Sequence, residues 1–229
     1  GGISLGISNH IRPVAIVCVI ALIVYILFNI SKENLKILVS NILGYFLTFY
    51  AIGYIIFCLT NVPVWQTSMG LNLMIGTDYT TYGMNNIKHS RFLAKYNYDF
   101  KKMHSDAMRI GLNRIEHETG KFIKVLPRKH AIIWGDDSFG YSWSTVKVYY
   151  STKFVKIIKS HPSIFYILSF LYYFVIIIFI MIGIFSNKKR KDNILMILYL
   201  IFLCFLVVHI FLEVQPRYHY PGIFALFLL

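Results

Sequence analysis

Four apolar runs constrain this chain more than any other feature. They are Pro13–Ile30, Leu35–Leu59, Ile164–Phe185 and Ile194–Leu212, each near the roughly 20 residues a helix needs to cross a bilayer. Lipid offers the backbone no water to bond, so a lone run of this length satisfies its own N–H and C=O groups as a helix. The expectation is an all-α, polytopic integral membrane protein. Composition agrees, with 57% hydrophobic and 17% aromatic residues and a mean hydropathy of +0.60, above the usual apolar share of a soluble domain. A cleavable signal peptide does not explain the first run, because a second span follows directly and no small-residue cleavage site lies between them. The chain starts with Gly1 rather than Met and stops inside the apolar run 222–229. It therefore reads as the carboxyl-terminal part of a larger protein.

Three regions follow: spans 1 and 2 in residues 1–59, a long polar segment at 60–162, and spans 3 and 4 with a truncated fifth in 163–229. Short loops set orientation. Residues 186–193 hold four basic residues in eight positions, and the 31–36 connection holds Lys32 and Lys36 against Glu33. Both belong on the cytoplasmic side by the positive-inside rule, which exempts long translocated segments. Segment 60–162 and the string Glu213–Pro221 then share the outer face.

The net charge of +13 comes largely from that segment, which carries 15 of the 23 basic residues against seven acidic ones. No nucleic-acid motif accompanies the charge, so nucleic acid is not an expected partner. Beside membrane spans, anionic lipid headgroups are the simpler one. Within the segment, Gly70–Asn86 is rich in loop-forming residues. Helical periodicity runs from Phe100 to Glu118, with Ala107, Met108, Gly111, Leu112 and Ile115 on one face and Lys101, Lys102, Arg109 and Arg114 elsewhere. Gly120 reads as a stop and Pro127 as a break. Trp65, Trp134 and Trp143 suit a lipid interface, with in-plane helices lying on the membrane.

Several candidate sites have bland explanations. His89, His104, His117 and His130 miss the i, i+3 or i, i+4 spacing of helical metal pairs and read as solvated; no metal site is expected. Asp136 and Asp137 suit a loop cap better than a cation or sugar site. Cys18, Cys58 and Cys204 all lie in apolar spans and read as small buried hydrophobes.

Two arginines stand out. Arg12 precedes Pro13 at the outer start of the first span, and Arg217 follows Pro216 at the outer end of the fourth. At such a boundary a guanidinium either snorkels to headgroups or holds an anion. Glu213, Tyr218, His219 and Tyr220 beside Arg217 favour the second, because the planar guanidinium fork matches phosphate oxygens.

The stretch Gly2-Ile-Ser-Leu-Gly-Ile-Ser-Asn-His-Ile-Arg-Pro13 resembles the helix start of C-type membrane glycosyltransferases. The closest group is the protein O-mannosyltransferase and aminoarabinose-transferase superfamily, in its bacterial cell-surface branch. Ile75-Gly-Thr-Asp with Gly83-Met-Asn-Asn, Lys121–Leu126 with Ile133–Asp137 and Trp143, and the Pro-Arg-Tyr-x-x-Pro core within Glu213–Leu229 are similar too. The resemblance implies an all-helical enzyme that moves a sugar from a polyprenyl-phosphate donor to an extracytoplasmic glycan, lipid or protein acceptor, without a cofactor. It implies Arg12 and Arg217 at the donor phosphate, with Glu213, Tyr218 and His219 as orienting groups. The family's carboxylate base belongs to an earlier outer loop, upstream of Gly1. Two other readings remain open: a flippase or exporter of lipid-linked glycans, and a non-enzymatic subunit of a cell-envelope assembly complex. The spans hold few polar residues, which disfavours a transport relay.

Overall fold

The computed structural model describes residues 1–11, 15–61, 69–97, 99–135, 137, 140–141, 153–186 and 193–227. Arg12, Trp65, Asp136, Trp143 and most of the basic loop (187–192) lie outside that set. Helices dominate the described residues, which contain no strand. In chain order they are α1 (Gly2–Ile11), α2 (Ile16–Phe28), α3 (Lys32–Thr60), α4 (Met69–Gly76), α5 (Ile87–Lys95), α6 (Phe100–His117), α7 (Thr119–Trp134), α8 (Lys153–Ser160), α9 (Pro162–Ser186), α10 (Asn193–Phe211) and α11 (Tyr220–Phe227). Short 3-10 turns occupy Tyr79–Thr81 and Pro216–His219.

Among the described residues three helices are long and apolar enough to cross a membrane: α3, α9 and α10, with 29, 25 and 19 residues. At 1.5 Å per residue they run about 44, 37 and 28 Å, against a hydrocarbon core of about 30 Å. Only 11% of each apolar window is buried inside the protein, so side chains such as Leu47 and Phe179 point outward. The Ser31 hydroxyl opens α3 by accepting from the Asn34 N–H at 3.1 Å, and Asn61 closes it with φ of 57°.

The first apolar run is shorter than expected. It yields α2 with 13 residues, about 20 Å, preceded by the separate helix α1. α1 ends two residues before Pro13 in the sequence, where a proline's missing N–H and its clash with the residue before it disfavour continuing a helix. α1 lies along α3, where the His10 ring stacks on Phe49 at 4.7 Å. α2 packs against α10.

The segment between α3 and α9 builds a small core of its own. α4 packs face to face on α6, with Met74, Ile75 and Ala107 buried and Leu71, Phe92 and Ile110 against them. Four expectations change here. Gly70–Asn86, expected as loop, begins as α4, because burial of Leu73, Met74 and Ile75 overrides the weak helix propensity of Gly and Asn. Gly120 does not end a helix: α6 hands over to α7 at Glu118. α7 runs through Pro127, and burial of Phe122, Lys129 and Ile133 offsets an interior proline's cost of about 3 kcal/mol. On α6 the buried stripe is Met103, Ala107 and Gly111, with Arg114 next along it. Leu112, expected on one face with Ala107 and Gly111, lies off this stripe and is 53% exposed.

Candidate functional site

The site is assembled where α10 ends and the chain turns across the α4–α7 subdomain. After Phe211 the chain forms an extended strap. The Glu213 N–H donates to the Asn72 carbonyl and the Val214 N–H to the Gly83 carbonyl, both at 2.9 Å. Two glycines permit this approach. A Cβ on Gly76 would overlap the Phe211 and Leu212 carbonyls, and Gly83 has φ of +77°, a region L side chains rarely adopt.

Lys129 ties the strap to the subdomain. It is fully buried, and its ammonium donates to the carbonyls of Gly76, Ile210 and Leu212 at 2.5, 2.7 and 3.2 Å. These oxygens sit at the carboxyl-terminal ends of α4 and α10, where unpaired carbonyls and the helix dipole favour a cation. Burial pushes the amine down to about 7.

Beneath the strap lies a second cluster. Asp78 caps the first 3-10 turn, its Oδ1 accepting from the Thr80 N–H at 3.0 Å and the Thr80 hydroxyl at 2.7 Å. Its Oδ2 lies 3.2 Å from His89 Nε2 and 3.7 Å from Arg114 Nη2. Arg114 also donates to the Met74 carbonyl at 2.6 Å. His89 Nδ1 accepts from the Asn86 N–H at 3.2 Å, which leaves Nε2 as the protonated nitrogen that donates to Asp78. Burial alone would push the Asp78 carboxyl up. Hydrogen bonds from His89 and Thr80 and the Arg114 guanidinium outweigh it, holding the group well below the usual carboxylate range.

His89 is thus buried and paired rather than solvated. His104 also has a structural contact, its Nδ1 accepting from the Gly70 N–H at 3.3 Å.

Glu213 is 7% exposed. Burial pushes its carboxyl up, and a hydrogen bond from the Gln215 amide plus the positive field of Arg217 offset this only in part. Arg217 is half-buried, its guanidinium 5.5 Å from the Tyr218 ring centre. Tyr218 in turn lies 5.7 Å from the His209 ring at the end of α10. The strap therefore brings Glu213, Arg217 and Tyr218 together. Arg12, their expected companion, lies outside the described residues.

His219 is spent inside the protein. It is fully buried, with Nδ1 2.6 Å from the Ile133 carbonyl and Nε2 3.1 Å from Asp137. Trp134, Tyr173 and Tyr220 surround the ring at 5.9, 5.0 and 4.6 Å. In this position it anchors the second 3-10 turn to α7, and Asp137 acts as its partner rather than as a loop cap.

The sequence reading took His89 as solvated and gave Asp78, Arg114 and Lys129 no role in a site, although signals exist. Asp-x-Thr at 78–80 and Asn-x-x-His at 86–89 are capping patterns. Lys129 continues the apolar stripe of Phe122 and Ile133, and Arg114 continues that of Met103, Ala107 and Gly111. Among the described residues no group of three or more His, Cys, Asp or Glu gathers as a metal site.

No family model, curated protein or solved structure matches the chain. Its architecture defines an all-helical membrane protein with a subdomain clamped to the end of its last membrane-length helix.

Proposed function

We propose that the protein is a membrane glycosyltransferase that moves a sugar from a polyprenyl-phosphate donor to an acceptor outside the cytoplasm. One observation carries this reading: a half-buried arginine in the 3-10 turn just beyond membrane-length helix α10, after a strap pinned by Lys129, Asn72 and Gly83. A donor with a membrane-embedded tail presents its phosphate at that depth. Sugar transfer leaves negative charge on the departing phosphate, and a pre-positioned guanidinium stabilises charge where it develops. Tyr218 backs the guanidinium, and Glu213 orients it. Arg12 is the second phosphate contact in this reading. The α4–α7 subdomain forms the acceptor side, on the outer face.

The test uses labelled polyprenyl-phosphate sugar with the intact protein in vesicles. The wild type releases free polyprenyl phosphate together with a glycosylated acceptor. Arg217→Ala lowers turnover tenfold to a hundredfold, the equivalent of about 1.5–3 kcal/mol for a charge-assisted contact, while membrane insertion is unchanged. Arg217→Lys, which loses the bidentate fork, recovers only part of the rate. Unchanged turnover in Arg217→Ala removes the arginine from the site. Movement of the lipid-linked sugar across the bilayer without release of polyprenyl phosphate overturns the reading.

A further inference from the structure

We infer that α8 is an in-plane anchor that recruits anionic phospholipid headgroups to the subdomain end of α9. In Lys153-Phe-Val-Lys-Ile-Ile-Lys-Ser160 the lysines recur every third residue, which at 100° per residue gathers Lys153, Lys156 and Lys159 into one 120° arc. Val155, Ile157 and Ile158 fall on the other side. No acidic residue lies between Lys153 and Pro162 in the sequence.

Position supplies the second argument. α8 ends at Ser160 and α9 begins at Pro162. A 25-residue apolar helix fixes where the membrane boundary falls, so the carboxyl-terminal end of α8 stays within a residue or two of chain of it. Contacts with Tyr141 set the direction of α8. Tyr141 donates to the Ile158 carbonyl at 3.4 Å and stacks on Phe165 of α9 at 5.9 Å, tying α8 to the entry of α9. On the apolar face Ile157 is 54% exposed.

Length supplies the third. An eight-residue helix is not stable alone in water, so an interface must order it. A bilayer surface matches both faces at once: acyl chains take the isoleucines and phosphates take the lysines. Basic residues this close to an anionic leaflet each contribute about fivefold in attraction, so three contribute roughly 100-fold.

The test places a fluorophore at Ile157→Cys in the full chain, with Cys18, Cys58 and Cys204 replaced by alanine, in lipid nanodiscs. Quencher is carried on the acyl chain of either phosphatidylglycerol or phosphatidylcholine. Both lipids quench the probe, and phosphatidylglycerol quenches preferentially. Lys153→Gln/Lys156→Gln/Lys159→Gln abolishes that preference and leaves quenching by phosphatidylcholine in place. The triple Lys→Arg variant keeps the preference, separating charge from any loss of local structure. A probe that neither lipid quenches shows that water or protein covers the face and overturns the inference. Equal quenching by the two lipids with the lysines intact also overturns it.

Discussion

Asp78→Asn tests whether the buried polar cluster holds the subdomain together. The substitution preserves shape and one oxygen. That oxygen still accepts from Thr80, so the 3-10 turn keeps its cap. The second oxygen becomes an NH₂ facing His89 Nε2 at 3.2 Å and Arg114 Nη2 at 3.7 Å. Both neighbours are donors, since the Asn86 N–H already occupies His89 Nδ1. Relief requires His89 to switch tautomer and abandon the capping box that starts α5. Losing the charge-assisted bond costs about 1.5–3 kcal/mol. Stranding the Arg114 guanidinium, whose side chain is 23% exposed, adds about 1 kcal/mol rather than the 3–5 of a fully buried charge. The expected loss is about 3 kcal/mol, a large share of a typical folding free energy.

The assay is reversible unfolding in mixed micelles, followed by far-UV circular dichroism across pH. The native carboxyl titrates below its unfolded value of about 3.9, so its contribution is complete above that value and is lost as pH falls beneath it. The gap between wild type and variant is therefore constant near neutrality and shrinks in acid. Adding Arg114→Met to Asp78→Asn costs less than the two single losses summed. A variant within about 0.5 kcal/mol of wild type at neutral pH, well inside the charge-assisted range, would refute the reasoning. So would a gap that widens in acid.

Two further variants probe the strap. Glu213→Gln removes a carboxylate that burial pushes up. Its folded value exceeds its unfolded one, so the wild type loses stability as pH rises through the folded value, whereas the glutamine variant lacks that loss and is the more stable at neutral pH in the same unfolding assay. Lys129→Met strands the Gly76, Ile210 and Leu212 carbonyls and costs about 2–4 kcal/mol after relief of the buried charge is credited. Because burial lowers the Lys129 amine to about 7, the unfolded chain holds more protons above that value. The wild type gains stability as pH rises from about 7 toward 10, and a methionine variant showing the same gain would exclude Lys129 as its source.

Much of the fold was legible in the sequence for one reason: uninterrupted apolar runs have few solutions in lipid. α3, α9 and α10 fall where hydropathy places them. The helix from Phe100 was equally readable, because periodicity is a local property. Arg217 was legible as a charge stranded between apolar runs, and the structure places it beside Glu213 and Tyr218. Local pattern failed where tertiary burial outweighed propensity, as in α4 and at Pro127 in α7.

The sequence by itself determined that membrane-length helices form and that an arginine-bearing string follows the last of them. Tertiary structure alone decided which polar side chains turn inward. Lys129 meets carbonyls 53, 81 and 83 residues away, and Arg114 meets one 40 residues away. A buried charge survives only where distant partners converge to replace water. Spacing along one helix records which residues share a face, but not which face another helix will cover.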